Sequence, residues 1–395
     1  MLHRTVLVYM AALAIATCLL WLPLREAFDD GDGGGADGNG ADGGDGNGAD
    51  GGDAGDGGDM DDAAAAAADD YSRTNEGLKP QSLDMFGRTH LYQVPPNPKG
   101  TVAMFPGCAR RAVGFWPAGT CKDCQGFPED VANAKQALRR GYAFIALSPR
   151  DAQDSCWSGK VDFPDAGSVL ERFMSTHGLL NKPLYTMGAS SGGQIALNMQ
   201  AHAEANRLPF TVSGVISLVS TNVGPRVVKK QPPVVWVVMS EPKEKEKAEA
   251  HAAAVKKAGG AAAVVVSAKK KVTPTFFSDR MPVVSAAESA QMVAELVKAK
   301  VVDAASGAIL KNPKSPKTWL ASMKKALPAL FKRPGVSADF WKSGIVQAML
   351  NAYSKHEAVS EYTTAALEWF EGGAKANFAP MANTYRVAAP ASLTI

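Results

Sequence analysis

Between residues 89 and 267 the chain alternates short runs of β-branched and aromatic residues with longer stretches of helical spacing, and that alternation leaves few architectures open. A strand followed by a helix and a further strand must cross over, which pairs strands in parallel and buries both faces of the sheet. Strands are predicted at 89–94, 101–105, 142–147, 184–187, 212–219, 234–239 and 262–266. Helices are predicted at 128–140, 165–177, 191–205 and 243–258, with Pro128 and Asp165 as favourable helix starts. The expectation is an α/β domain with a mainly parallel, doubly wound sheet. Beyond Ser267 the pattern turns helical at 286–300, 316–331, 339–353 and 358–371, broken by Pro313, Pro316, Pro328 and Pro334. This predicts a helical insertion, or cap, at about 286–353 before a last helix. Residues 372–395 lack periodicity and are expected to form an irregular tail.

Two N-terminal stretches cannot belong to that domain. Residues 29–70 hold 15 Gly, 14 Asp and 10 Ala in 42 positions, with no Lys, Arg or aromatic residue. Such a composition cannot bury enough apolar surface to offset chain entropy, so residues 29–72 are read as a disordered acidic stem. Calcium-binding Asp-Gly repeats need inward apolar side chains, and no Val, Ile, Leu or Phe occurs there. Residues 6–24 form an uncharged stretch, about 28 Å long as a helix, which matches the hydrocarbon thickness of a bilayer. His3 and Arg4 precede it, while Glu26, Asp29 and Asp30 follow. The charge asymmetry predicts a cytoplasmic N-terminus. Residues 1–28 are therefore expected to be a single-pass, type II signal-anchor. The folded domain, 73–371, would face the secretory-pathway lumen or the cell exterior. A cleaved signal peptide is the competing reading, but the apolar run is long and no clean small-x-small site follows Leu24.

The stem also masks the charge of the rest. Of 39 acidic residues 14 lie in 29–70, leaving 25 against 42 Lys and Arg. The folded part is basic, yet its charge runs at 243–247 and 269–271 lack interleaved aromatics, and the first alternates in sign. They read as solvated faces, and no nucleic-acid partner is expected.

Gly188-Ala189-Ser190-Ser191-Gly192 fits the G-x-S-x-G pattern between a predicted strand and a predicted helix. Only a strand, a strained turn and a helix lift a serine hydroxyl above the sheet edge, and small flanking residues let the two elements approach. Ser190 is the candidate nucleophile. The backbone N–H of Ser191, in the first helical turn, is one candidate oxyanion donor. The turn Pro106-Gly107-Cys108-Ala109 after an earlier strand offers a second, from Cys108 or Ala109. Chain order then requires an acid and a histidine after the serine. Of the histidines beyond the nucleophile's helix, His251 lies in a charged helix and His356 immediately precedes the last helix, which makes His356 the candidate base. Glu241 is the leading candidate acid by chain order, with Glu244 and Asp279 as the other carboxylates within reach of the role.

Cys108, Cys121, Cys124 and Cys156 lie in the folded part, and a luminal location favours disulfides among them without fixing the pairing. A four-thiolate zinc site is disfavoured, because only Cys121 and Cys124 have ligand spacing.

With these residues identified, the chain resembles a group of largely uncharacterised plant and algal α/β-hydrolase superfamily proteins over about residues 105–370. The likeness rests on Pro106-Gly107-Cys108, where a His-Gly-Cys turn is usual, on Cys121-Lys122-Asp123-Cys124, Gly126-Phe127-Pro128-Glu129-Asp130 and Cys156-Trp157. It continues through Gly188-Ala189-Ser190-Ser191-Gly192-Gly193, Pro274, Asp279-Arg280-Met281-Pro282, and His356-Glu357 before Trp369-Phe370. The resemblance implies an α/β-hydrolase fold with Ser190 and His356 as nucleophile and base. One departure stands out: where such proteins carry Met-Pro-Lys-Asp, this chain has Met239-Ser240-Glu241-Pro242. Either a nearby glutamate replaces the aspartate or the triad is impaired. The expectation is a membrane-anchored serine esterase acting on a small ester-like or acylated substrate, with no cofactor and no metal. A non-catalytic binding module of the same fold is the rival. A type II luminal glycosyltransferase shares the layout but would need an Asp-x-Asp-like metal site, which the folded part lacks.

Overall fold

The computed structural model describes residues 72–395, apart from 152–154, 227, 316–317 and 334. The predicted signal-anchor and almost all of the acidic stem lie outside the described residues. Among those described, no helix is long and apolar enough to cross a membrane.

An eight-stranded sheet organises the domain in the order β1-β2-β4-β3-β5-β6-β7-β8. Its strands are β1 (Gln81–Met85), β2 (Arg88–Gln93), β3 (Thr101–Phe105), β4 (Ala143–Ala146), β5 (Leu184–Ala189), β6 (Val212–Leu218), β7 (Val234–Met239) and β8 (Ala262–Ser267). From β3 to β8 all neighbours pair in parallel, while β1 and β2 form an antiparallel hairpin laid against β4. This strand order and polarity is that of the α/β-hydrolase fold. The hairpin strand β1 escapes a reading of β-branched runs because its sequence, Gln-Ser-Leu-Asp-Met, is poor in strand formers. Its two-residue turn, with Phe86 at φ +55° and Gly87 at φ +70°, matches the twist of paired strands.

Alternate strand residues feed two cores, one on each face. Val102, Met104, Phe144 and Val237 pack on one side, and Phe105, Ile145, Trp236 and Val238 on the other. The helices that follow β3, β4, β5 and β7 are α1 (Pro128–Arg139), α2 (Gly159–Thr176), α3 (Ser191–Asn206) and α4 (Pro242–Lys257). Helix α2 starts six residues before the predicted point and runs through Pro164. The buried Asp162 carboxylate supplies the reason: it accepts the Ser158 N–H at 2.7 Å and the Arg150 N–H at 2.8 Å, which ties the extra turn down.

After β8 the chain forms α5 (Ala286–Lys298), α6 (Thr318–Ala326) and α7 (Gly344–Tyr353), which share a core of their own around Phe277, Met292, Trp319 and Met349. Helices α8 (Thr363–Glu371) and α9 (Phe378–Thr384) follow, so the segment beyond 371 is not irregular throughout. Its attachment is both apolar and polar: Phe378 and Ala382 join the core of one sheet face, Leu393 O accepts from the buried Lys135 Nζ at 2.9 Å, and Ala391 N–H donates to Asp279 O at 3.0 Å. Hydrophobic periodicity cannot register the polar part of it.

The tail also completes a buried charge cluster. Glu361 receives Lys270 Nζ at 3.5 Å, Arg386 Nη2 at 2.9 Å and Ser267 Oγ at 2.8 Å. Burial alone would raise the Glu361 pKa, but Lys270, Ser267 and Arg386 outweigh it and hold the carboxyl below the ordinary glutamate range. Lys270 gains less, because its own burial lowers its pKa more than Glu361 raises it. A depressed carboxylate pKa stabilises the fold above the unfolded value and loses that contribution as pH falls through the folded one. Glu361→Gln, which leaves the buried Lys270 without its counter-ion while the more exposed Arg386 keeps water, should destabilise the domain by about 3 kcal/mol at neutral pH in urea unfolding. The difference from the parent should shrink as the pH is taken below about 4.

Candidate active site

Only Ser190 separates the end of β5 from the start of α3, and the turn is made by placing that residue at φ +50°, ψ −117°. A non-glycine residue in this region is strained, and the surroundings must enforce it. They do so through close approach. A Cβ on Gly192 would come within 2.1 Å of Phe105 O, and one on Gly188 within 2.3 Å of Gly192 O. Both glycines are therefore needed for α3 to start directly over β3. The Ser190 N–H donates to Leu218 O at 2.9 Å, so the turn is also pinned to β6.

The Ser190 hydroxyl lies 2.9 Å from His356 Nε2. His356 sits at φ +39° in the loop between α7 and α8, and that loop is fixed by its own hydrogen bonds. Ser354 Oγ accepts from Ser240 N–H at 2.8 Å and donates to Ser267 O at 2.6 Å, tying the loop to the ends of β7 and β8. Asn351 Nδ2 donates to Ala358 O at 2.9 Å across the loop. The other ring nitrogen, Nδ1, faces Glu244 Oε1 at 3.3 Å. The carboxylate on the imidazole is thus Glu244, not Glu241. Glu241 is the N-cap of α4, exposed, with extended backbone at φ −76°, ψ 115°. Glu244 is three residues on, inside the first turn, where its side chain is half-buried and comes back toward the sheet edge. Asp279 stands elsewhere, accepting from Thr275 Oγ1 at 3.0 Å. His251 contacts Thr221 O at 3.0 Å, away from the serine.

The turn after β3 lies against the elbow. Arg110 N–H donates to Gly107 O at 3.2 Å, with Ala109 at φ +61° inside the turn. Cys108 Sγ is 3.3 Å from the Ser191 hydroxyl, so the two residues read as oxyanion donors are neighbours. Cys108 is bonded to Cys156, which clamps this turn to the segment ahead of α2, and Trp157 Nε1 donates to Pro106 O at 2.7 Å beside it. Cys121 is bonded to Cys124, a local link within the loop. The four thiols offered as a possible zinc set are therefore two disulfides. Among the described residues no group of three or more metal-ligating side chains occurs.

A cavity of about 570 Å³ opens in front of Ser190 and His356. Its lining combines the apolar Met104, Phe115 and Val219 with the ionisable Arg110, Asp130 and Glu357. Four of its lining residues, Ala109, Ser190, Val219 and His356, hold positive φ, so backbone strain is concentrated around it. Asp130 was not visible from sequence as a site residue, although the resemblance motif contained it. Burial drives its pKa up to about 8, with Glu357 and Glu129 adding to the rise and Arg110 opposing it. Chemically, a serine hydroxyl on one ring nitrogen and a carboxylate on the other can transfer the serine proton as the oxygen attacks an electrophilic carbon.

No protein-family model matches the chain, and no curated protein matches it. Among solved structures it overlaps a hormone-sensitive lipase from a metagenome library at 14% identity, covering 52% of this chain and 81% of that one, with a TM-score of 0.36. It overlaps an esterase/lipase from an uncultured bacterium at 10% identity, covering 69% and 92%, with a TM-score of 0.35. A dienelactone hydrolase from Anabaena variabilis gives 15% identity, 49% and 88%, with a TM-score of 0.34. At such scores the overlaps carry nothing about activity, and the fold rests on the strand order itself.

The strain at Ser190 has a thermodynamic signature. Ser190→Gly removes the Cβ that makes φ +50° unfavourable, whereas Ser190→Ala keeps it. After the extra chain entropy of glycine is subtracted, the glycine variant should be the more stable of the two by about 1 kcal/mol in denaturant unfolding.

Proposed function

We propose that the protein is a serine hydrolase of carboxylic esters or similarly acylated substrates, with Ser190 as nucleophile, His356 as general base and then acid, and Glu244 orienting the imidazole. The observation that carries this reading is the continuous contact from Ser190 Oγ to His356 Nε2 at 2.9 Å and from His356 Nδ1 to Glu244 at 3.3 Å, on a strained turn facing a cavity. Ser190 Oγ attacks the ester carbonyl while its proton passes to His356 Nε2, and Glu244 stabilises the imidazolium that forms. The oxyanion is held by the backbone N–H groups of Ser191 and Cys108, the first at the positive end of α3. Collapse of the tetrahedral intermediate breaks the C–O bond, and the leaving alcohol takes the proton from His356. Water then attacks the acyl-serine with His356 again as base, releasing the acid. No cofactor enters this sequence.

We further propose that residues 1–28 anchor the chain in a membrane, with the domain on the luminal or exterior side at the end of the acidic stem. The uncharged run 6–24 and its flanking charges support this, as do two disulfides, which belong in an oxidising compartment.

A fluorophosphonate probe should label the protein once, at Ser190, and Ser190→Ala should abolish labelling while Ser191→Ala keeps it. His356→Ala and Glu244→Ala should each lower ester turnover by roughly three orders of magnitude or more. Glu241→Ala, Asp279→Ala and His251→Ala should stay within about threefold of the parent, because none of these side chains touches the serine or the imidazole. Labelling that persists in Ser190→Ala would overturn the assignment of Ser190 as nucleophile, and a parent that takes no label and turns over no ester would leave the non-catalytic binding module as the better reading.

A further inference from the structure

Ester hydrolysis at Ser190 needs two groups that distant parts of the chain carry: the oxyanion donor in the turn after β3 and the imidazole in the loop between α7 and α8. Their separation matters, because small misplacements of reacting groups cost large factors in rate. Each is fastened to the rest of the domain independently. The turn is held by the Cys108–Cys156 bond and by Trp157 Nε1 on Pro106 O. The loop is held by Ser354 on Ser240 and Ser267, and by Ser360 on Glu129. None of these contacts joins the turn to the loop.

Arg110 makes that connection. It closes the turn through its N–H on Gly107 O, and its side chain is only 12% exposed. The guanidinium carbon lies 3.8 Å from the centre of the Phe127 ring, Nη1 donates to Trp341 O at 2.6 Å, and Nη2 faces Glu357 Oε2 at 3.7 Å. Glu357 directly follows His356, and its other oxygen accepts the Ala358 N–H at 3.0 Å, so the carboxylate is tied to the backbone of the histidine loop. Trp341 belongs to the insertion, between α6 and α7. A planar guanidinium can stack by its face while its edge serves two acceptors, which a lysine ammonium cannot reproduce. Arg110 also lines the cavity, yet its guanidinium is engaged by Phe127, Trp341 and Glu357 together. That engagement favours a structural brace across the site over a contact with substrate.

We propose that Arg110 is a positioning residue, which holds the oxyanion turn at a fixed separation from His356 through its ion pair with Glu357 and its bond to Trp341 O. Glu357 is its counterpart on the histidine loop. This rests on the reading of Ser190 as nucleophile.

The test measures kcat and KM for p-nitrophenyl butyrate in the parent, Arg110→Met, Glu357→Gln and the double variant, each expressed per folded molecule from urea unfolding. Acylation and deacylation use the same oxyanion donors and the same imidazole, so both should slow together. In Arg110→Met kcat should fall by about thirtyfold, while KM stays within about threefold of the parent. Glu357→Gln keeps the shape and removes the charge, and its kcat should fall by about fivefold. The double variant should be no more than about threefold slower than Arg110→Met, because the brace is already lost. If Arg110→Met does not fold, Arg110→Lys carries the same test: it keeps the charge without the planar fork, and its kcat should fall by about tenfold. A kcat within threefold of the parent in the folded Arg110 variant, a loss expressed in KM, or losses that multiply in the double variant would each overturn the positioning role and leave the hydrolase reading intact. Turnover in the parent no faster than in Ser190→Ala would overturn both.

Discussion

How near α3 may approach β3 decides most of what happens at the sheet edge. With no Cβ at Gly188 or Gly192, the helix begins almost on top of the Phe105 carbonyl, 2.1 Å from where a Gly192 Cβ would stand. That contact forces the connection between strand and helix into a single residue, and the residue must then take φ +50°. The serine hydroxyl is raised above the sheet as a consequence of backbone geometry, not of any interaction of its own. The first free N–H groups of α3 and the turn after β3 are brought side by side by the same approach.

His356 reaches that hydroxyl because an interface with several buried side-chain hydrogen bonds holds the chain that follows it. Helix α1 buries Glu129, Asn133 and Gln136, and these side chains meet the chain that follows His356. Ser360 bonds to Glu129, Thr363 Oγ1 donates to Asn133 Oδ1 at 2.5 Å, and Thr364 N–H donates to Gln136 Oε1 at 2.9 Å. Such an interface is unforgiving, since each broken partner leaves a buried polar atom unsatisfied. It is also directional, which suits a histidine that must present one ring nitrogen to a serine and the other to a glutamate. Two consecutive acidic residues on α1 are set apart by environment alone: Glu129 is spent on Ser360, and Asp130 lies at the cavity lining with its pKa raised by burial.

Much of this is readable in the sequence, for reasons that differ by element. The parallel strands announce themselves because burial on both faces demands continuous apolar runs, as in Val234–Met239. Ser190 is legible because two glycines and a strand-turn-helix context have a single geometric use. His356 follows from chain order. The acid does not, because Glu241 and Glu244 lie in one short stretch and only the start of α4 at Pro242 decides which of them turns inward. Asp130 and the polar contacts of the C-terminal segment with Lys135, Glu361 and Asp279 are invisible to periodicity, since they are defined by tertiary partners and not by the spacing of apolar residues.

The central claim is that Ser190 forms a covalent acyl intermediate with His356 and Glu244 behind it. The most direct measurement mixes the protein with p-nitrophenyl butyrate, quenches in acid during the first turnover and weighs the proteolytic peptides. A butyryl increment on the peptide that contains Ser190, appearing with a burst of nitrophenol, is the predicted result. A steady nitrophenol release with no acylated peptide, unchanged in Ser190→Ala, would contradict it.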